Sequence, residues 1–254
     1  MAFACIVPVA PIRSEPSHRS EMVSQLLFGE LCDVLEQQAD FLKVRCRYDG
    51  YEGWCQRSQL ADYGADDYRN AIAYVEEPTL VIYVNGEACT VPFGSVLERN
   101  ADDNNVIGPY QIETTGVQDS KVSGEFNAEI FVELAKPFLG AAYLWGGKSS
   151  YGLDRSGFVQ QLYKLFGIFL PRDAYQQAEL GELVGFLQES KLGDLAFFDN
   201  EEGRIMHVGL LLSDRLIMHA SGNVRIDPID HAGIIHRITG KRTHHLRIIK
   251  RVIN

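Results

Sequence analysis

The sequence predicts a multidomain protein in which a β-rich N-terminal half precedes an α+β C-terminal domain. As far as residue 126, short apolar runs alternate with turn residues, whereas from Asn127 onward the apolar residues follow helical spacing. The charge changes at the same place. Residues 1–126 hold 9 Lys and Arg against 20 Asp and Glu, and residues 127–254 hold 15 against 14. This break supports a domain boundary near residue 126.

The first 62 residues predict a small β-barrel. Strands are expected at residues 6–9, 30–35 and 41–45, and Asp49-Gly50 indicates a tight turn before the next strand. The sequence Tyr51-Glu-Gly-Trp-Cys55, which follows Arg13-Ser-Glu-Pro16, resembles a bacterial SH3-like barrel. The Gly-Trp step is the most specific part of that resemblance, which assigns residues 1–62 to an SH3-like domain.

Residues 63–122 again alternate short apolar runs with turn residues, without obvious sequence identity to the first 62 residues. Asn85-Gly86 separates two β-rich runs, residues 79–84 and 87–91, and predicts a hairpin. Phe93-Gly-Ser-Val-Leu97 loosely echoes Phe28-Gly-Glu-Leu-Cys32. Two alternatives stay open here, a second SH3-like barrel or β-strands that decorate the first.

The C-terminal part, residues 123–254, predicts helices followed by strands. Asn127 is expected to cap a first helix, which Pro137 disrupts from about Lys136 onward. A second helix is expected over residues 158–166 and is ended by Gly167. Strands are expected at residues 195–198, 207–212, 216–219 and 246–249. Helices followed by strands are typical of an α+β domain.

Composition excludes several classes of function. A hydrophobic content of 46% and a charged content of 23% are typical of a folded globular protein. The formal charge of −10 argues against a nucleic-acid partner or an anionic membrane. No apolar run reaches the roughly 18 residues of a membrane span. Because Pro8 and Pro11 interrupt the apolar N-terminus, it predicts a strand and not a signal peptide, and a cytoplasmic location is expected.

The cysteines and most of the histidines predict neither a metal nor another cofactor. The cysteines lack metal-binding spacing and are expected to be buried, reduced thiols. Four histidines outside any motif are expected on the solvated surface, and no metal site or cofactor is expected. These residues are Cys5, Cys32, Cys46, Cys55 and Cys89, and His231, His236, His244 and His245.

Several residues of the C-terminal part have the spacing of a papain-type site. Such a site places a thiol at a helix N-terminus, where the dipole stabilises a thiolate, opposite an imidazole and a polar orienting group. Asp154-Arg-Ser-Gly157 directly precedes the second helix. A turn at Ser213-Asp214 would bring His207 and His219 to one end of two antiparallel strands. That end could face the start of the helix.

Motifs in residues 127–254 carry a specific family resemblance. In order, they are Tyr143-Leu-Trp-Gly-Gly147, Leu153-Asp-Arg-Ser-Gly-Phe-Val159, Leu170-Pro-Arg172, Gly193-Asp-Leu195, His207-Val-Gly209 and His219-Ala-Ser-Gly222. Together they resemble the NlpC/p60 family of peptidoglycan cysteine peptidases. The resemblance implies a papain-like NlpC/p60 domain over residues 123–254, behind SH3-like modules. It also implies hydrolysis of the bond between D-glutamate and a diamino acid in murein peptides with a free N-terminal L-alanine, and a cytoplasmic role in recycling them.

The resemblance also assigns roles to single residues. Arg155 stands at the nucleophile position, with His207 as the base and His219 as its orienting group. Four residues would form the substrate site: Tyr143 near the oxyanion, Asp154 and Ser156 at the ammonium of the peptide, and Ala174, where the family often has Ser or Thr. Peptidoglycan-derived peptides are the implied partners.

Arg155 contradicts the chemistry that the motifs predict. A guanidinium stays protonated and has no electron pair for attack, and residues 123–254 contain no cysteine. Thiolate hydrolysis by this chain is therefore predicted to be absent, and whether it is an enzyme stays open. Arg155 is also expected to lower the proton affinity of His207. The alternatives are a peptidase site altered from its natural sequence and a natural pseudoenzyme that binds wall peptides without cleaving them.

Overall fold

The computed structural model describes residues 2–65, 67–68, 71–99, 104–114 and 126–253. The chain divides into two compact units. One unit comprises Met1–Ser123 and Trp145–Tyr151, and the other comprises Gly124–Leu144 and Gly152–Asn254. The domain limits expected from the sequence stay predictions, and the boundary at residues 122–123 lies outside the described residues.

The first unit contains an antiparallel seven-stranded sheet with the order β3-β2-β6-β5-β4-β1-β7. Its strands are β1 (Ala2–Cys5), β2 (Val9–Arg13), β3 (Met22–Leu27), β4 (Leu31–Gln38), β5 (Phe41–Cys46), β6 (Glu52–Gln56) and β7 (Leu60–Asp62). The strand expected at residues 6–9 is wrong, because the extended chain breaks between Cys5 and Val9. Pro8 lies in that break and has no N–H to donate to a ladder.

The same unit contains further strands. They are β8 (Ala71–Tyr74), β9 (Thr79–Val84), β10 (Glu87–Pro92), β11 (Val96–Arg99), β12 (Asn104–Ile107) and β13 (Tyr110–Glu113). The order β10-β9-β13-β12 forms one sheet, and β8 pairs with β11. Asn85 and Gly86 have φ of 51° and 78°, so the predicted hairpin turn is confirmed. One buried cluster joins Ala4 and Phe28 to Ile82 and Ile112, so both sets of strands bury a common core.

A short segment from the middle of the chain, Trp145–Tyr151, belongs to this first unit. It includes β14 (Lys148–Ser149). The Lys148 ammonium is fully buried and lies 3.0 Å from the Glu30 carboxylate, and its backbone N–H donates to Gln25. A Cβ on Gly146 would stand 2.3 Å from the Met22 carbonyl oxygen, so only glycine fits there. Buried polar contacts and one close backbone approach thus fix the segment Trp145–Tyr151, which precedes β15 and α2 in the chain.

The second unit is an α+β domain, as the sequence predicts. Its helices are α1 (Ala128–Ala135), α2 (Arg155–Leu165) and α3 (Ala174–Gln177), and its strands are β15 (Gly152–Leu153), β16 (Glu182–Val184), β17 (Leu195–Asp199), β18 (Ile205–Leu211), β19 (Leu216–Ser221), β20 (Asn223–Asp230), β21 (Gly233–Ile235) and β22 (Arg242–Arg251). The sheet order is β16-β22-β17-β18-β19-β20-β21. Because β22 also pairs with β21, six of these strands close into a ring.

Capping residues predicted from the sequence lie at the ends of α1 and α2. Asn127 accepts from the backbone N–H groups of Glu129 and Ile130, and α1 gives way to a 3₁₀ turn that contains Pro137. The Asp154 side chain accepts from Gly157 N–H at 2.7 Å and caps α2. Gly167, with φ of 70°, follows the end of α2. Asp154 therefore fixes the start of the helix at the predicted nucleophile position.

The expectation of reduced cysteines is confirmed. All five are free thiols, four of them buried and Cys89 half-buried. Burial raises the pKa of Cys5 to about 12, so this thiol is unreactive. In the described part of the chain, no helix combines the length and hydropathy needed to cross a membrane.

Candidate active site

Three buried side chains of the second unit form a hydrogen-bonded relay. His207 Nε2 lies 2.9 Å from His219 Nδ1, and His219 Nε2 lies 3.0 Å from an Asp227 carboxylate oxygen. The relay runs across three neighbouring strands, β18, β19 and β20. Sequence analysis predicted the first two members together at one end of a strand pair, and the structure brings them into hydrogen-bond contact.

A glycine permits this contact between neighbouring strands. Strands β18 and β19 are antiparallel, and Gly209 follows His207 by two residues on the same face. A Cβ on Gly209 would stand 3.0 Å from His219 Cβ and 2.6 Å from Ile217 Cδ1. A larger residue would push β19 away, so the glycine of the His-Val-Gly motif sets the spacing of the relay.

Asp227 fixes the proton positions along the relay. Burial by itself would raise the pKa of this carboxyl, but hydrogen bonds from the Arg237 backbone, Arg225 and His219 outweigh burial and lower it. Asp227 is therefore ionised and accepts, so His219 Nε2 donates to it. His219 Nδ1 then accepts from His207 Nε2–H, which leaves a lone pair on His207 Nδ1.

The imidazoles in this relay are neutral near pH 7. Burial lowers the pKa of His219 to about 4, although its bond with Asp227 acts in the opposite direction. Burial also lowers the pKa of His207 well below its usual value, with smaller contributions from His244, His219 and Arg155. The contribution of Arg155 has the sign that the sequence predicts.

His207 Nδ1 is a buried acceptor without a hydrogen-bond partner among the residues that the structure describes. The side chain is only 2% exposed. A buried polar atom left in this state is costly, and such atoms occur where a ligand or a reacting group completes the bond. His207 therefore presents a prepared proton acceptor.

His244 and Phe198 hold the His207 ring in this orientation. The imidazoles of His207 and His244 stack with centroids 4.1 Å apart and an interplanar angle of 27°, and Phe198 lies 5.6 Å from His207. The expectation that His244 is solvated surface is wrong, because β22 pairs with β17 and places it half-buried against the relay. Burial lowers the pKa of His244 to about 4.

The three histidines do not fit a metal ion in this arrangement. Nitrogen atoms of His207, His219 and His244 lie within 4.8 Å of one another. An imidazole binds a metal through a lone pair in the plane of its ring, at about 2 Å. Two nearly parallel stacked rings cannot aim both lone pairs at one ion. The contact between His207 and His219 also occupies one nitrogen of each ring.

Arg155 is the first residue of α2, and its side chain reaches the neighbourhood of the relay. Its guanidinium donates to the backbone carbonyl of Met206 at 2.9 Å, directly before His207. The same guanidinium lies 5.6 Å from the ring centroid of Tyr143. The Tyr143 hydroxyl is a buried atom without a hydrogen-bond partner among the described residues. The structure thus brings Arg155, Tyr143, His207 and His219 together.

The residues expected at the peptide ammonium form a separate buried network. Arg172 donates to both carboxylate oxygens of Asp154, at 3.0 and 2.5 Å, and to the Ser156 hydroxyl at 2.9 Å. Gln177 of α3 donates to the Ser156 carbonyl, and Ala174 is the first residue of that helix. Asp154 therefore already has a cationic partner. Ligand roles for Asp154, Ser156 and Ala174 stay predictions.

Sequence reasoning missed two members of the site. Asp227 belongs to none of the matching motifs, and only its position eight residues after His219 could have indicated the facing strand. His244 carried a weak signal, since it lies two residues before the strand predicted at residues 246–249. Neither signal is specific without knowing that β20 pairs with β19 and that β22 pairs with β17.

The closed sheet, the start of α2 and the histidine relay together define an α+β domain of the kind that the sequence motifs predict. Residues 140–243 match the model of the NlpC/P60 family, and residues 12–60 match that of a bacterial dipeptidyl-peptidase SH3 domain. The predicted SH3-like domain is thus confirmed, as is the NlpC/p60 domain behind it. The chain belongs to the NlpC/P60 family.

Curated relatives and solved structures cover most of the chain. A gamma-D-glutamyl-L-lysine dipeptidyl-peptidase of Bacillus subtilis is 34% identical over 78% of this chain and 71% of its own length. A protein of the same name from Bacillus cereus is 27% identical over 90% and 77%. A crystal structure of an NlpC/P60 family protein from Bacillus cereus superposes with a TM-score of 0.85, covers both chains fully and is 22% identical, which shows the fold alone.

Proposed function

We propose that the second unit contains a binding site for peptidoglycan-derived peptides. The peptides are those that contain a bond between D-glutamate and a diamino acid, which certain peptidases cleave. We further propose that Arg155 leaves this chain inactive by the thiolate mechanism. Membership of the NlpC/P60 family and the similarity to relatives named for γ-D-glutamyl-L-lysine support the substrate class.

The observation that carries the proposal is the orphaned lone pair of His207 Nδ1 near the start of α2. In a thiolate mechanism this nitrogen takes the proton of a cysteine, and the thiolate attacks the scissile carbonyl carbon. The imidazolium then returns the proton to the leaving amine. Asp227 and His219 orient and stabilise the imidazolium. The hydrogen-bonded relay of His207, His219 and Asp227 supports the base side of this scheme, and the nucleophile is missing from it.

Arg155 cannot perform the missing step. Its guanidinium stays protonated and has only N–H donors to present. Ser156, the adjacent hydroxyl, accepts from Arg172 and lies 3.3 Å from Asp154, so it belongs to the buried network and not to the relay. Binding without cleavage is therefore the expected behaviour of this chain, as in a natural pseudoenzyme.

The test compares this chain with Arg155→Cys on L-alanyl-γ-D-glutamyl-L-lysine and on the corresponding diaminopimelate peptide. We expect no hydrolysis by the chain itself and release of the diamino acid by Arg155→Cys, measured by mass spectrometry. The double variant Arg155→Cys/His207→Gln is the matched control, and it should be inactive. Hydrolysis by the unaltered chain would contradict the predicted inactivity.

If Arg155→Cys does not hydrolyse the peptides, binding measurements on the unaltered chain decide whether the proposed substrate class is wrong. Calorimetric titration of the unaltered chain with the same peptides should show heat of binding without product. If neither peptide binds and Arg155→Cys is inactive, the proposed substrate class is wrong. The cytoplasmic location and the recycling of wall peptides stay predictions, which fractionation of the source cells would check.

A further inference from the structure

We propose that the free edge of strand β20 binds a short acidic peptide in an extended conformation, which adds to the sheet as one further strand. A groove of about 540 Å³ follows this edge and is lined by Leu139–Gly140 on one side and by His236–Ile238 on the other. Ligand sites in proteins have volumes of this order. The inference goes beyond the proposed function, because it requires neither the relay nor Arg155.

The first argument is a gap in the backbone hydrogen bonds of β20. The Val224 N–H donates to the Ala141 carbonyl, and the Val224 carbonyl accepts from the Gly140 N–H, so the Val224 backbone points away from β19. Alternate residues of a strand direct their backbone groups to the same edge, so the Ile226 backbone points the same way. Among the described residues nothing bonds to it there. One donor and one acceptor therefore face the groove.

The gap exists because the chain on both sides turns away from the edge. The Leu139 N–H bonds back to the Lys136 carbonyl, and the Arg237 N–H donates to the Asp227 side chain and not to a strand backbone. A peptide main chain offers an N–H and a carbonyl side by side, which is what Ile226 lacks, whereas a simple anion offers no donor. The gap therefore favours a peptide as the ligand.

The second argument is the charge of the groove. Arg225 and Arg237 line it together with a single carboxylate among the described residues, that of Asp227. Asp227 already accepts from His219, from the Arg225 side chain and from the Arg237 N–H. The Arg237 side chain is exposed and forms no hydrogen bond or ion pair within the part of the chain that the structure describes. An acidic side chain of the peptide would supply its partner.

The third argument is the apolar surface on both walls of the groove. The side chain of Leu139 is 44% exposed, and that of Ile238 is 89% exposed. Exposed apolar residues that are bordered by charged groups are typical of interaction sites. An added strand would cover part of this surface with its own side chains. The ligand that fits is therefore a peptide with apolar residues next to one Glu or Asp.

The experiment follows the backbone amide signals of the nitrogen-15-labelled full chain by nuclear magnetic resonance as acetyl-Ala-Val-Glu-Val-Ala-amide is added. We expect the Ile226 N–H proton to move downfield, as it does when it forms a hydrogen bond. The peptide with Gln in place of Glu should bind about 3-fold more weakly, since an exposed charge pair contributes modestly. An unchanged Ile226 signal at millimolar peptide would overturn the inference. An equal response to sodium acetate would indicate a simple anion site and would also overturn it.

N-methylated peptides test whether the ligand pairs as a strand. Methyl groups on the two Val nitrogens and a methyl group on the Glu nitrogen remove donors from opposite edges of the extended peptide. With Glu held at Arg237, one of these two peptides should lose binding and the other should keep it. Equal loss or equal retention in both would overturn strand addition.

Ile226→Pro removes the N–H that faces the groove and leaves the ladder with β19 intact. Pro228, the next residue to face the same edge, already shows that a proline fits such a position. Peptide binding should fall by about 2- to 10-fold. Ile226→Val keeps the N–H and is the matched control. Undiminished binding by Ile226→Pro would overturn the inference, and an unchanged thermal midpoint of unfolding would show that any loss is local.

Arg237→Gln tests the charge independently of the strand. Its backbone N–H can still donate to Asp227, so the fold should be kept, and the difference between the Glu and Gln peptides should disappear. Arg204→Gln removes another arginine, whose side chain is 77% exposed, and should preserve the difference. A preference for the Glu peptide that persists in Arg237→Gln would overturn the assignment of the acidic ligand to this groove, even if Ile226→Pro fails to fold.

Discussion

The candidate site has a strand side, formed by β18, β19 and β20, and a helix side at the start of α2. The two sides differ in the chemical groups that they present. On the strand side, Asp227, His219 and His207 form a continuous relay on three strands. On the helix side, Asp154 and Arg172 form a buried network at the start of α2, and Arg155 places a cation at the predicted nucleophile position. The histidine relay thus lies on one side of the site, and a guanidinium without an electron pair for attack lies on the other.

This difference indicates that the start of α2 does not depend on which residue occupies the predicted nucleophile position. Asp154 caps α2 and pairs with Arg172, so the helix begins at the same place whichever residue follows the cap. Arg155 is half-buried and contacts a backbone carbonyl and an aromatic ring. One side chain can therefore change the chemistry of the site while the fold around it is kept.

The largest expected effect concerns the strand side in the Arg155→Cys background. Asp227→Asn offers an amide to His219 in place of a carboxylate and favours the wrong tautomer along the relay. We expect peptide hydrolysis to fall by roughly 10²- to 10⁴-fold, by analogy with the orienting aspartate of serine proteases. Asp230→Asn, three residues further along the same strand, is the control and should keep its rate. An equal loss in both variants would show that the effect is structural.

A loss of stability is expected from breaking the buried ion pair on the helix side. Arg172→Leu leaves the Asp154 carboxylate buried without its guanidinium, which costs about 3–5 kcal/mol in comparable buried pairs. Unfolding by urea, followed by circular dichroism, measures the change. Arg242→Leu removes the partner of Asp230 in an exposed pair, and it should shift the midpoint far less. Similar shifts in the two variants would contradict a special role for the buried network.

Gly209→Ala tests whether the close spacing of β18 and β19 is needed for the contact between His207 and His219. The added methyl group would stand 2.6 Å from the Ile217 side chain and must move β19. Overpacking of this kind costs about 1–3 kcal/mol. Gly185→Ala is the control, because a Cβ there meets only the flexible end of Glu189 at 3.6 Å. Unchanged stability together with an unchanged His219 spectrum in nuclear magnetic resonance would contradict this role.

The smallest expected effect is a dependence of stability on pH. Unfolded His244 takes up a proton near pH 6.5, but in the folded protein its pKa is about 4. Between these values the unfolded state binds more protons, so stability falls as the pH is lowered from 6.5 to 4. His219 has the same sign.

His244→Phe keeps a ring against His207 and removes one titrating group. The loss of stability between pH 7 and pH 4 should shrink by about 1 kcal/mol, after allowance for the partial exposure of His244. Urea unfolding at a series of pH values measures it. If the free energy of unfolding depends on pH in the same way in both proteins, His244 takes up its proton equally in the folded and the unfolded state.

Local signals predicted much of the fold and part of the site. The Asn127 cap, the helical spacing after it and the Asn85-Gly86 turn are short-range features, and each was confirmed where the sequence placed it. His207 and His219 were found through motifs at the ends of two predicted strands. The strand at residues 6–9 failed because apolar content alone does not show where Pro8 interrupts a ladder.

The sequence by itself determined the composition of the two halves, a second helix over residues 158–166, which in the structure starts three residues earlier at Arg155, and the absence of a thiol from residues 123–254. These depend on residue type and on spacing within a few residues. Only the tertiary structure decided that Asp227 orients His219, that His244 stacks on His207 and that Arg172 neutralises Asp154. Each of these contacts joins residues separated by 8 to 37 positions, and strand pairing and burial, which no local pattern records, bring them together.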